Sequence, residues 1–266
     1  MSAKATTAKS ARKRTASTQA SSPVTLAIDI GGTGLKAMLL DPKGKPLSER
    51  ERIPTPDPAT PQDVLDALDE LQGRLPGYDR VSVGFPGVTK HGITYLAVNL
   101  HPEWANFHLK DEIEKRWKKP ARVANDAAVQ GYGAIKGDGV ELVITLGTGV
   151  GSSLFTDGRL CPGLELGHHP WRKKTYEDYL GKRGLKKHGK KRWNKRVRKI
   201  IKILETVVNY DMLYIGGGNA RLIESPLPDN VKTVSNQDGI TGGVKVWDKR
   251  MDQTFTEASS AFVTVA

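Results

Sequence analysis

Asp29-Ile30-Gly31-Gly32-Thr33-Gly34-Leu35-Lys36 sets a glycine-rich turn between two apolar runs, Val24 to Ile30 and Leu35 to Leu40. A second turn of the same kind, Leu146-Gly147-Thr148-Gly149-Val150-Gly151, joins Leu142–Leu146 to Ser152–Phe155. Each reads as strand, turn, strand. Glycine lets backbone N–H groups approach phosphate oxygens closely, and a threonine hydroxyl adds a donor without bulk. Either turn alone is equally a tight hairpin; the pair predicts two phosphate cradles facing one cleft, with Asn125-Asp126 between them in sequence as a candidate base. A nucleotide-binding βαβ unit needs a helix directly after the glycines. Neither turn has the spacing G-x-x-x-x-G-K-S/T, which argues against a P-loop.

The charge is distributed unevenly. The net value is +12, yet residues 1–22 alone contribute +5 and residues 172–199, with fourteen Lys or Arg against Glu177 and Asp178, contribute +12, so the rest of the chain is −5. A mildly acidic globule with a basic patch and a basic tail is expected. The tail is rich in Ala, Ser, Thr and Lys and carries no aromatic residue. Such a segment cannot offset its ordering entropy and reads as disordered. With 266 residues and 38% apolar content, the remainder suits one compact domain or two lobes, divided here as 23–126 and 127–266. No apolar run approaches the ~20 residues of a membrane span. Cys161 is the single cysteine, which excludes an intrachain disulfide, argues against a cysteine-based zinc site and suits a cytoplasmic location.

From Val24 onward strands and helices alternate. Thr60 caps a helix that starts at Pro61, carries Val64, Leu65, Leu68 and Leu71 on one face and ends at Gly73. Val81–Phe85 and Val123-Ala124 read as strands, Ile113–Trp117 as helix, and Asn125 and Asp126 as a loop at the C-terminal end of a strand, where ligands of open α/β sheets bind. Glu141–Leu146, Ser152–Phe155 and Arg159–Cys161 repeat the scheme, with Asp157-Gly158 as a hairpin turn. Trp193, Val197, Ile200, Ile201, Leu204 and Val208 recur at helical spacing, so the basic segment is an amphipathic helix with Lys and Arg outermost. Asp211–Ile215 forms a last buried strand before Gly216-Gly217-Gly218.

DIGGTGLK at 29–36, Asn125-Asp126-Ala127, LGTGVG at 146–151 and Glu165-Leu166-Gly167-His168 together resemble the signature motifs of the ROK sugar kinases. The resemblance runs from Leu26 to about Gly243. It implies an α/β, two-lobed, ribonuclease H-like fold of the actin and hexokinase superfamily with a central cleft. Within the family, the short chain, GFPGVT at 84–89 and the lysine-rich stretch after His168 are most similar to the polyphosphate glucokinases.

The resemblance assigns roles. Asp126 would take the proton of the glucose C6 hydroxyl as that oxygen attacks the terminal phosphoryl group. Asn125 would hold neighbouring hydroxyls, Glu165 and His168 hydroxyls near the anomeric end, and Asn99 or Asn106 the other sugar loop. Glu177 resembles the acidic sugar ligand and equally suits the early-turn carboxylate of a helix capped by Thr175. Asp29 would anchor Mg²⁺, while the backbone of Gly31, Gly32, Thr33 and Gly34 and of Gly147, Thr148 and Gly149 surrounds the departing phosphates. Lys36 reads as solvated. The Cys-x-Cys-Gly cluster that binds zinc in most relatives is missing, so no structural zinc is expected.

Inorganic polyphosphate offers no base or ribose to recognise, so its binding must be electrostatic. Lys186, Lys187, Lys190, Lys191, Arg192, Lys195 and Arg198 could follow such a chain and gain affinity by counterion release. The alternative is a solvated face that binds RNA nonspecifically; solvated faces, however, usually mix signs. Gly216, Gly217 and Gly218 resemble the adenosine-side loop, which keeps ATP in view as a second donor, and equally suit close packing. The resemblance thus implies a homodimeric polyphosphate–glucose phosphotransferase without a specific nucleic-acid partner. Its rivals are a strictly ATP-dependent kinase of glucose or mannose and a noncatalytic binder.

Overall fold

The computed structural model describes residues 22–97, 100–161, 163–224, 226–234 and 240–248. Most of the basic tail, Asn99 and the end of the chain lie outside them.

The quoted turn joins β1 (Thr25–Gly31) to β2 (Gly34–Leu40), antiparallel and in register to the last pair, Gly31 with Gly34. Then come β3 (Glu51–Ile53), α1 (Pro61–Gly73), β4 (Arg80–Phe85) and the hairpin β5 (Val88–Lys90) and β6 (Ile93–Leu96). α2 (Leu109–Trp117) and β7 (Ala121–Asn125) complete a five-stranded sheet of order β3-β2-β1-β4-β7. Thr60 caps α1 by accepting from the Asp63 backbone N–H, and Val64, Leu65, Leu68 and Leu71 are buried against the sheet, as their spacing requires.

α3 (Asp126–Ala134) follows β7 without a loop. The expectation of a loop at Asp126 is therefore corrected: Asn125 ends the strand and caps the helix, and Asp126 is its first residue. β8 (Val140–Leu146), β9 (Val150–Thr156) and β10 (Arg159–Cys161) lead to the small hairpin β11 (Pro170–Trp171) and β12 (Lys174–Thr175). α4 (Tyr176–Leu180), α5 (Lys182–Val208), β13 (Met212–Gly216) and β14 (Val231–Thr233) follow. The second sheet, β10-β9-β8-β13-β14, repeats the first: a hairpin whose first strand runs parallel to the next strand in, which is parallel to the edge strand. The repetition was legible as strand, turn, strand; the parallel partners were not.

Each sheet has its own apolar core, and α3 lies between them. Ala128, Val129 and Tyr132 pack with Val143, Phe155 and Tyr214 of the second sheet, and Ala124 of β7 joins the same cluster. Burying such faces is the dominant favourable contribution to folding. The 3₁₀ segment Gly242–Trp247 returns to the first sheet, where Ser82 donates to the Gly243 carbonyl at 2.5 Å and Arg122 donates to the Val246 carbonyl at 2.5 Å. α3 therefore touches both sheets and carries Asp126 at its start. Among the described residues, no helix is long and apolar enough to cross a membrane.

Candidate active site

The two glycine turns differ in construction. In the first, Gly31 pairs with Gly34, so Gly32 and Thr33 form an exposed two-residue tip. The Thr55 hydroxyl donates to the Gly31 carbonyl, and the Arg52 guanidinium lies over Gly34, where an added Cβ would come 2.8 Å from its Nε. In the second, Leu146 pairs with Val150, which leaves the three-residue tip Gly147-Thr148-Gly149. No atom would lie within 4 Å of a Cβ on Gly147, so its backbone faces open space, and Thr148 is exposed. Two further segments brace this tip. The Asn219 side-chain amide donates to the Gly147 carbonyl at 3.0 Å, and the Lys182 backbone N–H donates to the same carbonyl at 2.9 Å.

The triple glycine 216–218 ends β13 alongside this turn. Gly217 has φ of +87°, and a Cβ there would come 2.5 Å from the Leu146 backbone. Packing against the second glycine turn therefore accounts for this glycine whether or not a base or ribose also uses the loop. Gly216 is buried and Gly218 is exposed.

Asp126 stands where the two sheets meet. The Ala127 N–H is shared between Asn125 Oδ1 at 2.8 Å and Asp126 Oδ1 at 2.7 Å. The bond to Asp126 favours its charged form, but it is outweighed. Burial, first, and then the negative charge of Asp29 push the carboxyl up to about 7, with Glu165 adding to the rise and Lys36 opposing it. Asp29, Asp126, Glu165 and Lys36 thus share one electrostatic environment. Asn125 uses its amide internally: beyond capping α3 it donates from Nδ2 to the Gly87 carbonyl at 3.0 Å, which ties β7 to the GFPGVT segment. One N–H and one lone pair remain for another partner.

Lys36 is not a solvated lysine. Its Nζ lies 2.6 Å from Asp29 Oδ2, because facing positions on β1 and β2 bring the two side chains together. Among the described residues there is no group of three or more His, Cys, Asp and Glu that could hold a metal ion. Asp29 supplies one hard oxygen donor, and that fits Mg²⁺, which is held by one or two carboxylates together with water and substrate phosphates.

Glu165 and His168 lie on a 3₁₀ turn (Leu166–His168) fixed to β9: Ser152 donates to the Leu164 carbonyl at 2.8 Å and accepts from the Leu166 N–H at 2.9 Å. Burial raises the Glu165 pKa; His168 opposes the shift and Glu177 adds to it. His168 itself is exposed. The two readings of Glu177 are resolved in part. Thr175 caps α4, but the reciprocal partner in its capping box is Asp178. Glu177 instead accepts from the Val150 N–H at 3.2 Å and fills the space that a Cβ on Gly149 would need. Its carboxylate is thereby held at the second glycine turn. Of the two asparagines expected at the other sugar loop, Asn99 is outside the described residues, and Asn106 is exposed with φ of +60°.

The basic helix starts at the second glycine turn. Lys186, Lys187, Lys190, Lys191, Arg192 and Lys195 are exposed along α5, whereas Arg198 is half-buried and donates to the Glu224 carbonyl at 3.4 Å. Lys190 lies 3.5 Å from the Glu224 carboxylate. α5 is also interrupted: Gly189 has φ of +72° and ψ of +161°, a glycine conformation, so the chain bends between the two basic clusters. Arg52 and Thr55 were not singled out from the sequence; Lys182 was counted only among the cations of 172–199, and Asn219 only as the end of the glycine loop that resembles the adenosine side.

A family model for ROK matches residues 25–209. The chain is 29% identical over 232 residues to the polyphosphate glucokinase of Mycobacterium tuberculosis strain CDC 1551 / Oshkosh, covering 81% of this chain and 88% of that one. It is 37% identical over 153 residues to the N-acetylmannosamine kinase of Escherichia coli strain SE11, covering 54% of this chain and 52% of that one. The crystal structure of the inorganic polyphosphate/ATP-glucomannokinase of Arthrobacter sp. strain KM superposes with a TM-score of 0.76 at 30% identity, covering 84% of this chain and 97% of that one. With its two repeated sheets and two glycine turns, the chain belongs to the ROK family and has the two-lobed sugar-kinase fold of the actin and hexokinase superfamily.

Proposed function

We propose that this ROK sugar kinase transfers the terminal phosphoryl group of inorganic polyphosphate to the C6 hydroxyl of glucose, with Asp126 as general base. One observation carries the donor: the basic helix α5 is hydrogen-bonded through its first residue, Lys182, to the carbonyl of Gly147, so the row of lysines and arginines leads away from the phosphate turn. A polyanion lying on that row would reach the cleft by its end. The polyphosphate glucokinase and the polyphosphate/ATP-glucomannokinase among the similar proteins support the same reading.

In this mechanism the sugar is held between Asp126 and the Glu165–His168 turn. A carboxyl raised to about 7 is about half ionised at neutral pH, close to the optimum for a base that must also be a good proton acceptor. Asp126 takes the C6 proton as the oxygen attacks the terminal phosphorus in line with the departing phosphate. The N–H groups at the tips of the two glycine turns, apart from that of Gly147, which donates to the Gly149 carbonyl, would face the growing negative charge together with the hydroxyls of Thr33 and Thr148 and the guanidinium of Arg52. Asp29 would hold Mg²⁺, which when bound would supply positive charge to neutralise that of the donor phosphates. Lys36, bound to Asp29, moderates the carboxylate charge beside Asp126.

ATP as a further donor is favoured by the exposed Gly218 and by the contact of Asn219 with Gly147, which set the 216–219 loop beside the phosphate turn. A titration of polyphosphate against ATP at fixed glucose, repeated across salt concentrations, tests the donor. Polyphosphate kcat/KM should fall steeply with salt and ATP kcat/KM only shallowly. Far higher kcat/KM with ATP, together with an unchanged response after charge reversal at Lys190, Lys191 and Arg192, would assign the enzyme to ATP alone.

A further inference from the structure

α4, five residues long, joins the two sides of the cleft. At its start, the Tyr176 backbone N–H donates to the His169 carbonyl at 3.1 Å, next to the Glu165–His168 turn, and the two rings pack with centroids 4.9 Å apart. At its end, the Lys182 N–H donates to the carbonyls of Gly147 and Thr148 at 2.9 and 3.2 Å, and a Cβ on Gly181 would come 2.7 Å from the Thr148 carbonyl oxygen. The tip of the second glycine turn is thus pressed against the α4–α5 junction.

Glu177 holds the same tip by its side chain. Its Oε2 accepts from the Val150 N–H at 3.2 Å and stands where a Cβ on Gly149 would go. Gly149 is not one of the glycines with a left-handed φ, so the backbone does not require glycine there. The space is taken by the carboxylate. Nor does α4 need Glu177 as its cap, because Thr175 and Asp178 form the reciprocal pair. Charge alone would disfavour an acid beside a turn that receives phosphate; what Glu177 contributes is the hydrogen bond to Val150 and the packing on Gly149.

We propose that Glu177 is a positioning residue for the phosphoryl donor: its carboxylate fixes the Thr148-Gly149-Val150 segment, so that the tip and the Thr148 hydroxyl meet the donor phosphates in one geometry. The role deepens the donor reading above and rests on the second glycine turn being where donor phosphates lie. It moves Glu177 from the sugar, where the sequence resemblance put it, to the donor. A misplaced tip lowers donor affinity and, because the phosphoryl group must lie in line with the C6 oxygen, turnover as well.

The test compares Glu177→Ala with Glu177→Gln in the full chain. Both remove the charge that acts on Glu165; only alanine removes the acceptor for Val150. Glu177→Ala should raise the donor KM about tenfold and lower kcat, while Glu177→Gln stays within about twofold of the wild type in both and the glucose KM is the same in the two variants. Gly149→Ala reaches the contact from the other side. Its Cβ displaces the flexible end of Glu177, so the donor KM should rise to a similar extent, and the double variant Gly149→Ala, Glu177→Ala should be no worse than either single one. Fully additive losses, or a raised glucose KM with an unmoved donor KM, overturn the proposal. Calorimetric titration of tripolyphosphate and of ATP without glucose separates the role from the donor assignment. Weaker binding of either phosphate by Glu177→Ala than by Glu177→Gln upholds it whichever donor is productive. Equal binding by the two variants, or none by the wild type, overturns it.

Discussion

Asp126 and His188 each sit among like charges, but of opposite sign. Around Asp126, burial together with Asp29 and Glu165 raises the carboxyl to about 7. Around His188, burial together with Arg196, Arg192, Lys187 and Lys174 lowers the imidazole pKa. The cleft is thus a negative region that holds the Asp126 pKa close to neutrality, and α5 is a positive region fixed to it at Gly147. A neutral sugar suits the first and a polyanion the second. The separation matters because phosphoryl transfer needs a base that remains available beside a highly charged donor.

Removing the proposed base should have the largest effect on this contrast. Asp126→Asn is expected to lower kcat by about 10²–10⁴-fold while glucose binding, followed calorimetrically, persists. Stability supplies a separate reading of the same group. Its native pKa lies near 7 against 3.8 for the ordinary carboxyl, so the folded state retains a proton that the unfolded chain has released. The stability contribution is full below the unfolded value and is lost as pH rises through about 7. Asp126→Asn removes that loss, and its Tm advantage over the wild type should grow from about pH 4 to about pH 7.

On the positive side, the triple charge reversal Lys190→Glu, Lys191→Glu and Arg192→Glu should raise the KM for polyphosphate about 10- to 100-fold and flatten its salt dependence, with the far-UV spectrum unchanged because all three residues are exposed. Lys36→Met sharpens the negative side. Loss of the cation that opposes the rise in the Asp126 pKa should move the acid limb of the pH–rate profile to higher pH; an unmoved limb would separate Lys36 from Asp126. The smallest effect belongs to the brace between the two regions. Asn219→Ala removes one hydrogen bond to Gly147, worth about 1 kcal/mol, and should raise the donor KM a fewfold.

The longer strands and the two glycine hairpins were legible because apolar runs bounded by Gly-Gly, Gly-Thr and Asp-Gly leave few alternatives, and α1 because Thr60-Pro61 and its apolar spacing agree, whereas β3, β5, β6, β11, β12 and β14, of two to four residues each, are too short to carry a pattern. α3 was missed because Asp126-Ala-Ala-Val-Gln-Gly-Tyr-Gly-Ala has small residues and two glycines in place of an amphipathic stripe. It is a helix because both sheets bury it. The motif residues Asp29, Asp126, Glu165 and Glu177 were found as sequence words, and the structure brings them around one cleft. Lys36, Arg52, Thr55, Lys182 and Asn219 act on that cleft through strand register or long-range contacts, which a linear pattern does not carry. The donor-side place of Glu177 was hidden for a related reason. In sequence it stands between Thr175 and Asp178, and only the fold brings its carboxylate to Val150 and Gly149.

The pH dependence of kcat/KM for glucose at subsaturating donor tests most directly whether Asp126 is the base, poised by its negative neighbours. The account predicts an acid limb with its midpoint near 7, activity rising as the carboxyl loses its proton, and a limb displaced downward in Asp29→Asn. A profile that stays flat through neutrality, or a limb indifferent to Asp29, would contradict it.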